Sequence, residues 1–418
     1  MTNADFVIEH ADMVATCAGP APRRGGSQRE MSPLRDAAIA AHEGRIVFVG
    51  PQATLDEHVT ALDSAVRINA RGCSVVPGLV DAHTHVVYAG DRRDELRQRL
   101  AGATYAEIAA AGGGILQTVR ATRTASEDEL VALARARLDE MAVCGTTTCE
   151  AKSGYGLTLD SELRQLRVIR RLDAEHAIDL VPTFLGAHEV PDDFRDCPDE
   201  YVGRVVNEMI PQVADATLAE WCDVFCERGA FTPEQSTRIP QAGARAGLRP
   251  RIHADELTAS GGAGVAADVG ARSADHLIFV DERGAERLAA AGVCAVLLPI
   301  TALCLRLGRY APARMLIDRG VAVALGTDLN PGAGVSPSMP FALSLACFAM
   351  GMTFEEALVA ATLNAAWSVD RSDSVGSLEA GKLMDAVVIR GDATNLARGG
   401  APSILAVVKR GKVIFRAQ

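Results

Sequence analysis

The chain has 418 residues, 48% of them hydrophobic and 23% charged, which is enough apolar surface to bury the core of one large domain plus a smaller one. Its net charge of -11 and its four lysines disfavour a nucleic-acid partner, because neutralising a phosphate backbone takes clustered Lys and Arg. No charged segment followed by an apolar one opens the chain, and the best apolar run, Ala291 to Leu305, is too short for a membrane span and contains Pro299, so a cytoplasmic protein is expected.

The stretch Gly19 to Ser32, rich in Gly, Pro, Arg and Ser, reads as a loop or flexible excursion. Gly44 to Gly50 reads as a short strand bounded by glycines, and Val407 to Phe415 near the other end reads the same way, so the two are expected to pair in one small β-domain. Between them, strand-like runs at Val75 to Val80, Leu180 to Leu185, Cys222 to Cys226, Pro250 to Ile252, Ala295 to Leu298 and Val321 to Leu325 alternate with helix-like runs. The latter are Glu127 to Met141, Asp160 to Asp173, Pro233 to Ala246 and Thr353 to Ala366. This is the pattern of parallel strands with crossover helices. The expected architecture is an α/β (β/α)8 TIM-like barrel over residues 74–370, with a small β-sandwich domain built from 1–73 and 371–418. A doubly wound open sheet fits less well, since no Gly-x-Gly-x-x-Gly follows the first strand and Gly112-Gly113-Gly114 lacks that spacing. The ten cysteines form no disulfide framework and read as reduced, buried thiols.

The most informative segment is Pro77-Gly78-Leu79-Val80-Asp81-Ala82-His83-Thr84-His85. In extended backbone, residues i and i+2 point to the same side, so both imidazoles can face one metal ion. A barrel demands further polar groups just after its apolar runs, and they recur. His188 follows Thr183 to Ala187, His253 precedes Asp255 and Glu256, His276 ends Ser273 to His276, and Asp328 follows Val323 to Thr327 and precedes Asn330-Pro331-Gly332. Five of the nine histidines thus sit at predicted strand ends, and such clustering at one barrel face is how hydrolytic metal sites are built.

At these residues the chain resembles the amidohydrolase superfamily, and within it the imidazolonepropionase family of ring-opening hydrolases in histidine degradation. The likeness runs from about Val76 to Ala366. It is carried by Asp81 to Arg92, Gly112 to Arg123, Lys152-Ser153-Gly154-Tyr155-Gly156-Leu157, Phe184 to His188, Asp223 to Glu227, His253-Ala254-Asp255-Glu256 and Ser273 to Leu277. The resemblance implies one divalent metal, zinc or iron, held by His83, His85, His253 and Asp328. Three neutral imidazoles and a carboxylate suit a borderline cation and leave a position for water, whose pKa the metal lowers. It also implies hydrolysis of the cyclic amide of 4-imidazolone-5-propanoate to N-formimidoyl-L-glutamate. In that reaction Asp328 and Glu256 move protons, and His276 and His188 hydrogen-bond the developing oxyanion or the ring.

Substrate contacts implied in the same way are Arg92, for the propanoate, with Tyr155, His188, Glu256, Asn330 and Gly332. On its own, Asp91-Arg92-Arg93-Asp94-Glu95 reads as a solvated charged face, Tyr155 as a packing residue of a loop, and Asn330-Pro331-Gly332 as a turn. The chain departs from the family at Ala333, where a hydroxyl residue is usual, and at Ile300 to Leu305, which lacks expected aromatics. Those departures make a related cyclic amide or imidazolone derivative the alternative substrate. Two further readings are a binuclear site bridged by a carbamylated Lys152, the single lysine of the barrel region, and a barrel that binds a ligand without turnover. The family suggests a homodimer acting on a small molecule, with no membrane partner.

Overall fold

A computed structural model describes residues 1–103, 107 and 112–417, which form two eight-stranded sheets. In chain order the first five strands are β1 (Thr2–Ala15), β2 (Pro33–His42), β3 (Arg45–Pro51), β4 (Val59–Asn69) and β5 (Cys73–Pro77). Eight more follow, β6 (Leu79–Asp81), β7 (Thr146–Lys152), β8 (Asp179–Ala187), β9 (Trp221–Cys226), β10 (Arg249–Ala254), β11 (Ser273–His276), β12 (Cys294–Leu297) and β13 (Val323–Leu325). The last three are β14 (Ala386–Arg390), β15 (Ile404–Lys409) and β16 (Lys412–Arg416).

Strands β6 to β13 lie side by side in sequence order, every pair parallel. Parallel neighbours need a crossover rather than a hairpin, and helices such as Glu127–Val143, Leu159–Glu175 and Pro233–Arg245 supply it. The first of these begins at a reciprocal cap between Ser126 and Glu129, and the third at one between Thr232 and Gln235. The ring closes where the chain beyond β6 meets the chain beyond β13. Ala82 N donates to Leu325 O (3.4 Å), Asp328 N to His83 O (2.9 Å) and His85 N to Leu329 O (2.9 Å). This is the (β/α)8 barrel, and its closing seam sets the His-x-His segment beside Asp328.

Six barrel strands coincide with the apolar runs of the sequence. The other two, β7 and β11, read Thr-Thr-Thr-Cys-Glu-Ala-Lys and Ser-Ala-Asp-His, and although every residue in them is buried their polar side chains conceal the pattern. The predicted strand Val75 to Val80 divides at Gly78. Its first half, β5, pairs with β1 and β14 in the other sheet, while β6 enters the barrel beside β7. Gly78 N donates to Asp385 O (2.9 Å), and a Cβ at Gly78 would overlap the Thr147 side chain, so only glycine fits where the chain passes between sheets. The predicted helix Thr353 to Ala366 likewise breaks at Thr362 into Phe354–Ala360 and Leu363–Ser368, where Ala361 O accepts from Val80 N (2.9 Å).

The second sheet is mixed and runs β16-β15-β14-β5-β1-β2-β3, with β4 branching from β1. The two end segments expected to pair are therefore at opposite ends of one sheet. The β5–β14 pairing joins the termini, and residues 381–384 occupy the edge of β3, through Ile46 N to Lys382 O and Met384 N to Gly44 O (both 2.9 Å). Residues 19–32 leave this sheet altogether. Gln28, fully buried, donates to Val323 O and accepts from Val323 N (both 3.2 Å), and Arg23 N donates to Asn364 Oδ1 (2.8 Å), so the stretch straps the barrel at β13. Gln28→Ala would leave Val323 N unpaired, while Val323 O keeps its bond from Asn364 Nδ2 (3.0 Å), and the expected cost is about 1 to 3 kcal/mol. A lower denaturation midpoint with unchanged turnover at saturating substrate checks it. Among the described residues no helix is long and apolar enough to cross a membrane, and no cysteine is in a disulfide.

Candidate active site

Beyond β6 the backbone stays extended long enough for His83 and His85 to point the same way, and their Nε2 atoms stand 3.3 Å apart. His253, near the end of β10, joins them, one ring nitrogen of each lying within 4.8 Å of the others. Asp328 Oδ1 is 3.4 Å from Nε2 of both His83 and His85, and its Oδ2 accepts from Thr301 Oγ1 (2.5 Å). The backbone is bent to achieve this. Asp328 has φ +52° and His276 φ +74°, a region that side chains rarely adopt and that is found where surrounding structure imposes it. Gly334 packs so closely beneath that a Cβ would overlap the Asp328 carbonyl oxygen.

The donor set suits a divalent cation. His253 Nε2 is buried with no hydrogen-bond partner among the described residues, a costly arrangement for a polar atom unless an ion takes its lone pair. His83 Nδ1 faces Asp275 Oδ2 (2.7 Å) and His253 Nδ1 faces Asp223 Oδ2 (2.9 Å), which leaves each Nε2 as the ligating atom. His83, His85, His253 and Asp328 would hold the ion.

One cleft lies over these groups, lined by His85, Arg92, Tyr155, His188, His253, Glu256, His276, Asp328, Asn330 and Gly332. Ten of the eleven residues singled out from the sequence thus converge, and the eleventh, His83, lies just below with no exposed surface. Arg92 is no solvated face residue. Arg92, Glu95 and Arg99 recur at helical spacing and are buried, while Arg93, Asp91 and Asp94 point outward. Arg92 Nε donates to Glu95 Oε2 (2.8 Å), whose Oε1 accepts from Gly114 N (2.8 Å). Gly332 lies so near Arg92 that a Cβ would overlap the guanidinium. Asn330 braces this loop: its Oδ1 accepts from Gly332 N (2.8 Å) and Ala333 N (2.7 Å), and its Nδ2 donates to Asp328 O (2.7 Å). Its side-chain amide thereby shapes this wall of the cleft. Tyr155 packs against His85 and His188, with ring centroids 5.7 and 5.3 Å away.

The model of the amidohydrolase family matches residues 74–414. The imidazolonepropionase of Brevibacillus brevis is 48% identical over 97% of this chain and 97% of its own, and that of Symbiobacterium thermophilum is 48% identical over 99% and 98%. The chain belongs to the amidohydrolase family, among the imidazolonepropionases. Solved structures share the fold at lower identity. An adenosine deaminase from Xanthomonas campestris with bound zinc superposes with a TM-score of 0.72 at 21% identity, covering 99% of this chain and 93% of its own. A triazine hydrolase variant gives 0.75 at 21%, covering 98% and 94%.

In this amidohydrolase two carboxyl groups of the cleft, Asp328 and Glu256, have their pKa values driven apart. Burial opposes the Asp328 charge, but hydrogen bonds from His83 and His85 outweigh it and hold the carboxyl well below its usual range. Burial raises Glu256 well above its usual range, and the charges of Asp328 and Glu227 add to the shift. Two titratable groups split in this way are suited to accept and to donate a proton. Burial lowers His85 to about 4 and holds His188 and His276 well below the usual imidazole value, so all three are neutral near pH 7. His188 Nδ1 faces Gly154 O (3.1 Å), which assigns the proton to Nδ1 and leaves Nε2 an acceptor. His276 Nδ1 has no partner among the described residues.

The carbamylated-lysine reading does not survive the geometry. Lys152 Nζ is completely buried between Glu150 Oε1 (2.7 Å) and Asp223 Oδ2 (2.8 Å). Burial works against its charge, yet Asp223 and Glu150 prevail and raise its pKa, whereas a carbamate would add a fourth negative group to Glu150, Asp223 and Asp275. Several contributors escaped the sequence reading. Thr301, which holds Asp328, lies in the stretch noted only for its missing aromatics. Asp223 and Asp275 sit inside quoted motifs without a role, and Glu95 was hidden in a charge run. Of these, the helical spacing of residues 92, 95 and 99 was the readable signal.

Proposed function

We infer that the protein opens the lactam ring of 4-imidazolone-5-propanoate with water, giving N-formimidoyl-L-glutamate. The observation that carries this is a candidate metal-ligand set, the carboxyl groups of Asp328 and Glu256 and the guanidinium of Arg92 converging on a single cleft. Zinc or ferrous or ferric iron fits the three imidazoles and one carboxylate. When bound, the ion supplies Lewis-acid polarisation and acidifies a water.

The chain's own groups do the rest. Arg92, held by Glu95, meets the propanoate with a charge-assisted contact. His188 Nε2 accepts a ring N–H of the substrate, with Tyr155 closing that side of the cleft. Asp328 takes a proton from the attacking water as the bond to the lactam carbonyl carbon forms, and His276 Nδ1–H faces the developing oxyanion. When the carbon–nitrogen bond breaks, Glu256 delivers its proton to the departing amidine nitrogen. Leu305 and Ala333 border the cleft where the family's aromatic and hydroxyl groups are absent, and they leave this machinery unchanged.

Glu95→Gln removes the charge that orients Arg92. The expected result is a KM raised about tenfold, the loss of one charge-assisted contact, with kcat within about twofold. Equal losses in both constants would place Arg92 elsewhere than on the propanoate. The primary test is turnover of freshly generated 4-imidazolone-5-propanoate by the metal-loaded protein, following ring absorbance and N-formimidoyl-L-glutamate. Turnover sustains the reading. None, with one tightly bound metal per chain, keeps a hydrolase and moves the search to other cyclic amides. A homodimer working in the cytoplasm accompanies this reading, and light scattering tests the assembly.

A further inference from the structure

Beneath the imidazoles lies a wholly buried cluster of charges that the reaction itself does not use: Glu150 and Lys152 from β7, Asp223 from β9, Arg251 from β10 and Asp275 from β11. We propose that Lys152 is the positioning residue of the metal centre, one ammonium that ties together the two carboxylates facing Nδ1 of His253 and His83 and so fixes both rings with Nε2 toward the ion. The claim rests on the ligand set given above and adds what holds it in place.

The same oxygen atoms make both contacts. Lys152 Nζ is 2.8 Å from Asp223 Oδ2, which is 2.9 Å from His253 Nδ1, and 3.6 Å from Asp275 Oδ2, which is 2.7 Å from His83 Nδ1. The ammonium therefore joins two ligands that reach the site from strands on different sides of the barrel. Among the described residues it is the cation within ion-pair distance of both carboxylates. Arg251 reaches Asp275 Oδ2 (3.4 Å) and Glu150 Oε1 (3.7 Å) but not Asp223, and it donates to Ala82 O and Ser368 O. Each carboxylate also has bonds that do not involve Lys152. Asp223 Oδ1 accepts from Val224 N (2.7 Å) and His253 N (3.2 Å), and Asp275 Oδ1 accepts from Ser273 Oγ (2.6 Å).

The charges sharpen the case. Three carboxylates against two cations leave the cluster with one excess negative charge below the imidazoles, which favours a cation above them. A buried ion pair is weak evidence for stability, since well-packed apolar replacements often serve as well. Partners of metal-bound imidazoles are different, because their loss commonly weakens metal binding about 10- to 100-fold.

Lys152→Met alone would leave a buried carboxylate uncompensated, so the test pairs it with Glu150→Gln, which keeps the cluster's net charge. The readouts are the dissociation constant for Zn²⁺ by chelator competition and the melting temperature of the metal-free protein. The expected result is Zn²⁺ binding weakened about 10- to 100-fold, with metal-free melting within about 5 °C of wild type and recovery of most of the affinity in Lys152→Arg. A pair that binds Zn²⁺ as tightly as wild type, or that fails to fold despite its balanced charge, overturns the proposal. Wild-type protein that takes up no divalent ion overturns the ligand set first, and this proposal with it.

Discussion

Asp328→Asn is expected to lower kcat by about 10³-fold or more, because it removes a metal-facing carboxylate and the acceptor of the water's proton together, and positioned proton transfer alone is worth about 10²- to 10⁴-fold. The substitution preserves shape, and Thr301 Oγ1 still has a carbonyl oxygen to meet, so the loss is one of charge rather than packing. Metal analysis of the purified variant separates its two roles. Substoichiometric metal reports the ligand, and a full complement without turnover reports the proton acceptor. Unchanged turnover would remove Asp328 from the site. The same carboxylate, together with Asp275, sets how metal uptake depends on pH. Burial and the Lys152 charge depress the His83 pKa, but hydrogen bonds to Asp275 and Asp328 outweigh them and push it up to about 9. A group with a raised pKa holds its proton below that value, so near pH 7 an incoming ion displaces a proton from His83. Zn²⁺ affinity therefore rises with pH toward about 9, with release of about one proton per ion, and calorimetry in buffers of different ionisation enthalpy measures it.

Glu256→Gln is expected to cost about 10²- to 10³-fold in kcat with metal content unchanged, since glutamine fills the space and offers an N–H but cannot surrender a proton to the leaving nitrogen. The pH profile gives the decisive sign. Burial, reinforced by Asp328 and Glu227, raises the Glu256 pKa, so the acid form is present at neutral pH and is lost as pH rises through that raised value. Wild-type kcat should accordingly fall on the alkaline side, and the variant's residual rate should lack that limb. A variant that retains the same limb would show another group to be the donor.

Much of this site was legible in the chain because its chemistry is local. His83 and His85 lie two residues apart in extended backbone, and His253, His276 and Asp328 each follow or end a strand that enters a common barrel face, so order along the chain predicts where they converge. Apolar runs likewise marked β8, β9, β10, β12 and β13, because parallel strands covered on both faces are continuous in hydrophobicity. The buried helical face of Arg92 and Glu95 was present as a spacing and was masked by the exposed charges between them.

The rest depended on contacts between distant segments. β7 and β11 are polar strands because they carry Glu150, Lys152 and Asp275, and such groups are tolerated inside only when partners from other strands meet them, which no local pattern records. Gly78 divides one apolar run between two sheets because Thr147 and Asp385 crowd it from elsewhere in the chain. Residues 19–32 have the composition of a loose loop, yet Gln28 binds them to β13, almost 300 residues on. Residue types and their order along the strands thus determined the kind of chemistry and marked the candidate ligands. The closure of the ring decided which atoms of those residues converge and which way their pKa values shift, because hydrogen bonding and burial act across space rather than along the chain.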